Sequence, residues 1–251
     1  MKSPEEVRGA VEKRYAEIAR SGASCCGDQN LVQIGYGKEE LEGLPEPALM
    51  GLGCGNPVKL AALQPGEVVV DLGSGGGIDV FLAARQVGPS GRVIGVDMTP
   101  EMLARARANA DRLGLGNVEF RQGLIEALPV ESSSVDVILS NCVINLAPDK
   151  TVVFREAFRI LKPGGRLVVS DMVARGELSR EIRENPALWA SCIGGALPEV
   201  EYLDAIRRAG FPSVEVLGRE ALEQGHVYSV TVAARKFVKS ARGCCGTGTE
   251  G

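Results

Sequence analysis

The sequence lacks any apolar run of the roughly 18 residues that a membrane-spanning helix needs. Residues 1–20 form an amphipathic, charged segment without the apolar core of a signal peptide. The 28 basic residues form no long run and the net charge is −4, which argues against a protein held mainly by nucleic-acid phosphates. We therefore expect a soluble, cytoplasmic monomer with neither a nucleic-acid nor a membrane partner.

Histidine is almost absent. His226 is the only one, and it stands at the start of the last predicted strand, where we expect a structural role. No pair of carboxylates shows the spacing of an acid–base pair. The sequence therefore offers no obvious general base for a reaction that must remove a proton.

Cysteine is the reactive residue type that the chain does supply. The count of seven is odd, and without a secretory signal we expect reduced thiols rather than a disulfide framework. Their placement is uneven: a pair at 25 and 26, single residues at 54, 142 and 192, and a pair at 244 and 245.

Hydrophobic periodicity predicts an α/β fold. Residues 4–20 carry apolar side chains at helical spacing, and residues 21–64, rich in Gly, Ser, Asn and Pro, predict a lid or cap. From Glu67 onward, strand patterns alternate with helical ones, which predicts a mostly parallel sheet with helices on both faces. We divide the chain into an N-terminal helix and cap loop (1–63), an α/β core (64–175), a substrate-side portion that completes the sheet (176–236) and a disordered tail (237–251).

A glycine-rich turn follows the first predicted strand in VVVDLGSGGGIDV, with glycines at positions 73, 75, 76 and 77. Glycine permits a tight turn and the close approach of a ligand, and the helix N-terminus that follows favours negative groups. Ile78 stands where the third glycine of the G-x-G-x-x-G dinucleotide fingerprint belongs, which weakens a nicotinamide-cofactor interpretation. Asp97, at the end of the second predicted strand, can accept both hydrogen bonds of a ribose diol.

The motifs DLGSGGG, GVDMTPEML, VDVILSN and LKPGGRL, in this order, resemble those of class I S-adenosylmethionine-dependent methyltransferases over about residues 65–175. The resemblance implies a Rossmann-like class I methyltransferase fold with S-adenosylmethionine as cofactor. It also implies contacts with the methionine part, the ribose and the adenine of that cofactor. The residues concerned are Asp71, Gly73, Ser74, Gly75, Gly77 and Asn141 for the methionine part, Asp97 for the ribose, and Met98, Leu124 and Ile125 for the adenine.

The single cysteines stand in the contexts GLGCGNP, SNCVINL and SCIGGAL. The carboxyl ends of parallel strands meet at one crevice, which puts Cys142 there by topology, whereas Cys54 and Cys192 are assigned to it as a hypothesis. Together with SCCGDQNLVQIGYG and YSVTVAARK, these contexts resemble arsenite methyltransferases over about residues 20–235. The resemblance implies that Cys54, Cys142 and Cys192 bind trivalent arsenic, supplied as arsenite or its thiol conjugate, which then accepts methyl groups.

Arsenic chemistry agrees with the missing base. Soft thiolates suit a soft, thiophilic centre, and trivalent arsenic bound to sulfur keeps a lone pair that can attack a methyl carbon directly. The product is formally pentavalent, and two thiols restore the trivalent state by forming a disulfide that a thiol reductant, glutathione or thioredoxin, reopens. Cys25 or Cys26 is a candidate for this disulfide with Cys54, and we assign Cys244 and Cys245 no catalytic part.

Two other functions remain open from the residues. A methyltransferase acting on a carbon or oxygen of a small organic substrate, such as a quinone precursor, shares the core motifs and predicts dispensable cysteines. A non-catalytic metalloid-binding protein that has kept the fold is the other possibility, because a fold does not determine a function. It predicts arsenic binding without release of S-adenosylhomocysteine.

Overall fold

The structure, a computed structural model, describes residues 3–21, 31–220 and 225–237. Seven strands form one sheet, and nine α-helices and two 3-10 helices of the described ranges surround it. The strands are β1 Val68–Leu72, β2 Arg92–Asp97, β3 Val118–Gln122, β4 Val135–Asn141, β5 Leu161–Ala174, β6 Ser213–Glu220 and β7 Val227–Arg235. The helices are α1 Pro4–Ser21, α2 Lys38–Leu41, α3 Pro57–Leu60, α4 Ile78–Val87, α5 Pro100–Leu113, α6 Lys150–Ile160, α7 Arg180–Glu184, α8 Pro186–Trp189 and α9 Glu199–Arg208. The 3-10 helices are Glu46–Ala48 and Ile144–Leu146.

The strand order, β3-β2-β1-β4-β5-β7-β6, has β1 to β5 parallel and β7 antiparallel to both of its neighbours. The order reverses between β1 and β4, and ligands of open α/β sheets bind in the crevice beyond the strand ends at such a point. The predicted mostly parallel α/β fold is confirmed. The division of the chain into four parts stays a prediction, and almost all of the predicted tail lies outside the described residues.

The core consists of two apolar layers, one on each face of the sheet. Val70 of β1 belongs to the layer that contains Phe154 of α6 and Tyr202 of α9. The adjacent Val69 belongs to the layer that contains Phe81 of α4 and Leu103 of α5. Successive strand residues point to opposite faces, so a strand covered on both faces is mostly apolar, as VVVDL is apart from Asp71.

Two details of the chain path bear on the sequence analysis. The described part of the irregular segment before β1, residues 31–64, contains only short helices, as expected, and the predicted N-terminal helix is present as α1. The KPGG motif is predicted as a turn, but β5 already begins at Leu161, which pairs with Val135. The register then shifts between Val135 and Val137, so the motif is an irregular part of β5 rather than a separate turn. None of the described helices is long and apolar enough to cross a membrane.

Replacing Phe154 with alanine should lower the free energy of unfolding by about 3–5 kcal/mol. Its side chain is fully buried, and its ring lies edge-on to Tyr202 with centroids 5.5 Å apart. Urea denaturation followed by circular dichroism measures the change. Phe237→Ala is the matched control, because Phe237 is 61% exposed, and it should shift stability by less than about 0.5 kcal/mol. Equal effects of the two substitutions would contradict this view of the core.

Candidate active site

Three cysteines meet beyond the carboxyl ends of the strands. Cys142 directly follows β4, Cys54 precedes α3, and Cys192 follows α8. The Cys192 thiol donates a hydrogen bond to the Cys142 carbonyl at 2.7 Å, and the Cys142 thiol interacts with both other thiols. All three are free, not disulfide-bonded. The structure therefore brings together the three thiols that the sequence analysis assigned to one site.

Two of these cysteines hold a backbone conformation that favours glycine. The φ angles of Cys142 and Cys192 are +59° and +63°, and among the described residues only Ala62 and Ser133 are other non-glycine residues with positive φ. Such a conformation costs about 1–3 kcal/mol and persists only where the surroundings enforce it. Here the Cys142 N–H donates to the Ser170 carbonyl at 2.8 Å, which fixes the turn after β4.

Cys54 is held through its backbone. Its N–H donates to Asn141 Oδ1 at 3.0 Å, and its carbonyl accepts a hydrogen bond from the Ser229 hydroxyl at 2.6 Å. The glycines on either side allow this close packing. A Cβ at Gly53 would lie 2.8 Å from the Asn141 amide nitrogen, and one at Gly55 would lie 2.6 Å from a hydroxyl oxygen in β5. The loop therefore needs glycine on both sides of the thiol.

Asn141, the last residue of β4, connects this loop with the next part of the site. Its amide nitrogen lies 2.8 Å from the Gly55 carbonyl, 2.9 Å from the Tyr36 hydroxyl and 3.2 Å from Asp79 Oδ2. The Tyr36 hydroxyl in turn donates to Asp79 Oδ1 at 2.8 Å. The sequence analysis did not identify Tyr36 or Asp79. Their only local signal is their position in the GYG and GGGIDV stretches.

A cavity extends from the glycine-rich turn to the thiols, and Cys142 and Cys192 both line it. Two of the ten residues predicted to bind the cofactor, Gly77 and Leu124, do not. Gly77 precedes α4 with φ +96°, and a Cβ there would lie 2.5 Å from the Phe81 ring, so it serves the packing of the turn. The other eight line the cavity: Asp71, Gly73, Ser74, Gly75, Asp97, Met98, Ile125 and Asn141.

Helix α1 covers part of this cavity. Arg8, Val11 and Tyr15 line it together with residues of the strand ends. Arg8 also forms an ion pair with Glu126, Nε to Oε1, at 3.1 Å, which connects the helix to the loop after β3. The N-terminal helix thus contributes to the wall of the site, while the cap predicted for residues 21–64 stays a prediction.

Three buried carboxylates make the cavity acidic. Burial, with Asp79 and Asp97 as negative neighbours, raises the pKa of Asp71 well above its usual value. Burial raises the pKa of Asp79 to about 6 and also raises that of Asp97. Negative charges that are costly to bury without a partner favour a ligand that carries positive charge.

Asp97 is a hydrogen-bond acceptor in the wall of the cavity. Its Oδ2 accepts the Gly75 N–H at 2.9 Å and its Oδ1 accepts the Thr99 N–H at 2.8 Å. The Thr99 hydroxyl and the Met98 N–H also interact with this carboxylate, which lines the cavity. The nearby Ser74 hydroxyl is buried, lines the cavity and has no hydrogen-bond partner within the described part of the chain. The polar groups present therefore fit a ligand with a cationic group and a ribose.

The surroundings of these thiols favour the protonated form, unlike those of an activated cysteine nucleophile. Interactions with the thiols of Cys192 and Cys54, together with burial, raise the pKa of Cys142 well above its usual value, and burial raises that of Cys54. The sulfurs of Cys54 and Cys142 and a carboxylate oxygen of Asp171 all lie within 4.8 Å of one another. Asp171 was not predicted as a site residue from the sequence. The stretch RLVVSD (166–171) nevertheless places it towards the carboxyl end of a predicted strand, which in the structure lies next to β4.

The remaining candidate residues are away from this site or outside the described ranges. Cys25, Cys26, Cys244 and Cys245 belong to the segments that the structure does not describe. His226 is exposed, directly precedes β7 and does not line the cavity, in agreement with the structural role expected for it.

Comparisons with known proteins show to which family the chain belongs. Residues 63–234 match the family described as "Methyltransferase domain". The arsenite methyltransferase of Halobacterium salinarum is 44% identical over 87% of this chain and 61% of its own length. That of Aquipseudomonas alcaligenes is 48% identical over 80% of this chain and 61% of its own length. The chain thus spans about three fifths of the length of the curated relatives it matches.

One solved structure extends the comparison to three dimensions. The crystal structure of an arsenic(III) S-adenosylmethionine methyltransferase from Chlamydomonas reinhardtii superposes with a TM-score of 0.66 at 36% identity. The match covers 81% of this chain and 71% of that one. The fold, the matched domain and these similarities together confirm the resemblance found in the sequence. The chain belongs to the arsenite methyltransferase family, within the methyltransferase-domain proteins.

Proposed function

We propose that this protein transfers methyl groups from S-adenosylmethionine to trivalent arsenic held by Cys54, Cys142 and Cys192, and so detoxifies arsenic. The observation that carries the proposal is the shared cavity. The glycine-rich turn and the acidic residues form one end of it, while Cys142 and Cys192 form part of its wall. A methyl donor and a thiol-bound acceptor would therefore lie next to each other.

The donor end supplies binding and orientation. When bound, S-adenosylmethionine supplies a methyl group on a positively charged sulfur. The carboxylates of Asp71 and Asp79 favour that positive charge together with the amino group of the methionine part, and the carboxylate of Asp97, which lines the cavity, suits the ribose diol. Holding donor and acceptor in one geometry is a large part of the rate enhancement of a bimolecular displacement.

The thiol end binds the acceptor without a base. Three protonated thiols can replace three hydroxyl or thiolate ligands of trivalent arsenic, because each departing ligand takes up one thiol proton. The raised pKa values of Cys54 and Cys142 are therefore compatible with binding. Arsenic held in this way keeps a lone pair that attacks the methyl carbon, so no general base is required.

Regeneration completes the proposed cycle. Two thiols reduce the pentavalent product to the trivalent state as they form a disulfide, and glutathione or thioredoxin reduces that disulfide. We propose a cytoplasmic location, because a reducing compartment keeps these thiols free. We also propose that the monomer is active, since one chain supplies both the cavity and the three thiols.

The direct test is an assay of the purified protein with arsenite, glutathione and S-adenosylmethionine, in which methylated arsenic species and S-adenosylhomocysteine are measured. We expect both products in equal numbers of methyl equivalents. A quinone-type methyltransferase would give neither, and a metalloid-binding protein would bind arsenite without forming S-adenosylhomocysteine. Absence of methylarsenicals from protein with intact thiols would contradict the proposal.

Cys142→Ser and Cys192→Ser should each abolish methylation of arsenite, because a hard hydroxyl binds a thiophilic centre poorly. Cys54→Ser should reduce methylation of arsenite more than that of methylarsenite, which needs only two thiolates. Mass spectrometry of the products measures these rates. The double variant Cys244→Ser/Cys245→Ser is the matched control and should keep full activity. Full activity of either Cys142→Ser or Cys192→Ser would refute a three-thiol site.

Asp97→Ala should raise the dissociation constant of S-adenosylhomocysteine by about 10- to 100-fold, because charge-assisted hydrogen bonds to the ribose are lost. Isothermal titration calorimetry measures the constant. Asp204→Asn, which removes a half-exposed carboxylate on α9, is the control and should leave it unchanged. An unchanged constant in Asp97→Ala would mean that the ribose binds elsewhere.

A further inference from the structure

Asp171 is a fully buried acid in β5 that the proposed function leaves without a role. Its Oδ1 accepts the Met172 N–H at 2.9 Å, and its Oδ2 accepts the Asn145 N–H and the Tyr202 hydroxyl, both at 3.1 Å. These three donors fix the orientation of the carboxylate. A carboxylate oxygen of Asp171 lies within 4.8 Å of the sulfurs of Cys54 and Cys142.

Three hydrogen-bond donors surround the carboxylate and favour its ionised form in spite of its burial. Burial raises the pKa of Asp171 to about 6, while its hydrogen bonds and the nearby Lys150 act in the opposite direction. Lys150 is itself buried; its Nζ donates to the Ala147 carbonyl at 3.3 Å and lies 5.8 Å from the centroid of the Trp189 ring. Lys150 and Asp171 attract each other electrostatically, and each shifts the pKa of the other towards its charged form.

A buried ion is costly, by several kcal/mol, and apolar residues at the same place often serve stability equally well. Apart from Ser170, the residues around Asp171 in the strand are apolar, and Val168, Val169 and Val173 are all buried. Buried charges of this kind are concentrated at functional sites. The position of Asp171 beside the thiols, rather than elsewhere in the sheet, indicates that its charge acts on whatever the thiols bind.

We propose that the Asp171 carboxylate stabilises the positive charge that reaches arsenic during methyl transfer. This inference depends on the function proposed above and adds a residue to it. It assigns Asp171 an electrostatic part in the chemical step, distinct from binding either the arsenic or the methyl donor.

The charge balance of the step explains why a carboxylate is needed there. Arsenic bound to three thiolates is neutral, and its lone pair forms the new bond to the methyl carbon. The bond between that carbon and the donor sulfur breaks, and its electron pair stays on the sulfur, which becomes neutral. One positive charge therefore moves from sulfur to arsenic, with no proton released and no further reactant.

The buried carboxylates act on this movement of charge in opposite ways, depending on whether they lie near the donor or near the thiols. At the donor end, Asp71, Asp79 and Asp97 attract the positive charge in its starting position. The fixed carboxylate of Asp171, next to the thiols, attracts the positive charge as it reaches arsenic. In the transition state it therefore offsets the attraction of the donor-end carboxylates. Groups oriented in advance towards developing charge, in a site that excludes water, contribute strongly to catalysis.

The test is Asp171→Asn, which keeps the side-chain volume and one acceptor oxygen but removes the charge. With arsenite preloaded and S-adenosylmethionine saturating at neutral pH, we expect the single-turnover rate of methylation to fall by about 100-fold, in line with the loss of a preorganised electrostatic group. Arsenite binding, followed by the fluorescence of Trp189, the only tryptophan, should stay within about threefold, as should S-adenosylhomocysteine binding by calorimetry.

Two control variants separate charge from packing. Tyr202→Phe removes one hydrogen bond to Asp171 but not its charge, and Asp204→Asn removes an exposed charge. Both should stay within about fivefold of the wild-type rate. A wild-type rate in Asp171→Asn would overturn the inference, as would a loss of arsenite binding that parallels the loss of rate, or an equal loss in Tyr202→Phe. A wild-type protein that forms no methylarsenical would instead overturn the function itself.

Discussion

The side-chain amide of Asn141 is the interaction on which both halves of the site depend. Its oxygen holds the backbone of Cys54, and its nitrogen lies against Tyr36 and Asp79 at the acidic end of the cavity. Because Gly53 leaves no room for a side chain against that amide, the loop has little freedom to shift. Asn141 therefore sets both the position of the Cys54 thiol and the shape of the donor end of the cavity. A change that moves its side chain would disturb both.

The arrangement of charge follows from the fold. Parallel strands end at one edge, and the reversal of strand order between β1 and β4 opens a crevice there. Asp71, Asp97 and Asp171 all lie in strands of the sheet, where burial is greatest. A site built on strands is rigid, and a rigid site can hold carboxylates and thiols at fixed separations without reorganisation during the reaction.

The sequence was sufficient for the order of elements and for part of the site. Topology alone predicts that Cys142 lies at the site. Periodicity identifies β4, and the carboxyl ends of parallel strands meet at one edge of the sheet. Cys54 could be assigned only by resemblance, since nothing local connects it with β4. Tyr36 was missed for the same reason, because its hydroxyl meets Asn141 across 105 residues of chain. Contacts between residues so far apart leave no periodic or local pattern to read.

The left-handed backbone at Cys142 and Cys192 has an evolutionary consequence. Glycine would relieve the strain at either position, so a cysteine there is costly for stability. Selection for stability alone would thus favour replacement of both thiols by glycine. A lineage freed from metalloid exposure should lose these cysteines to glycine before it loses the fold, leaving a more stable descendant with an empty crevice.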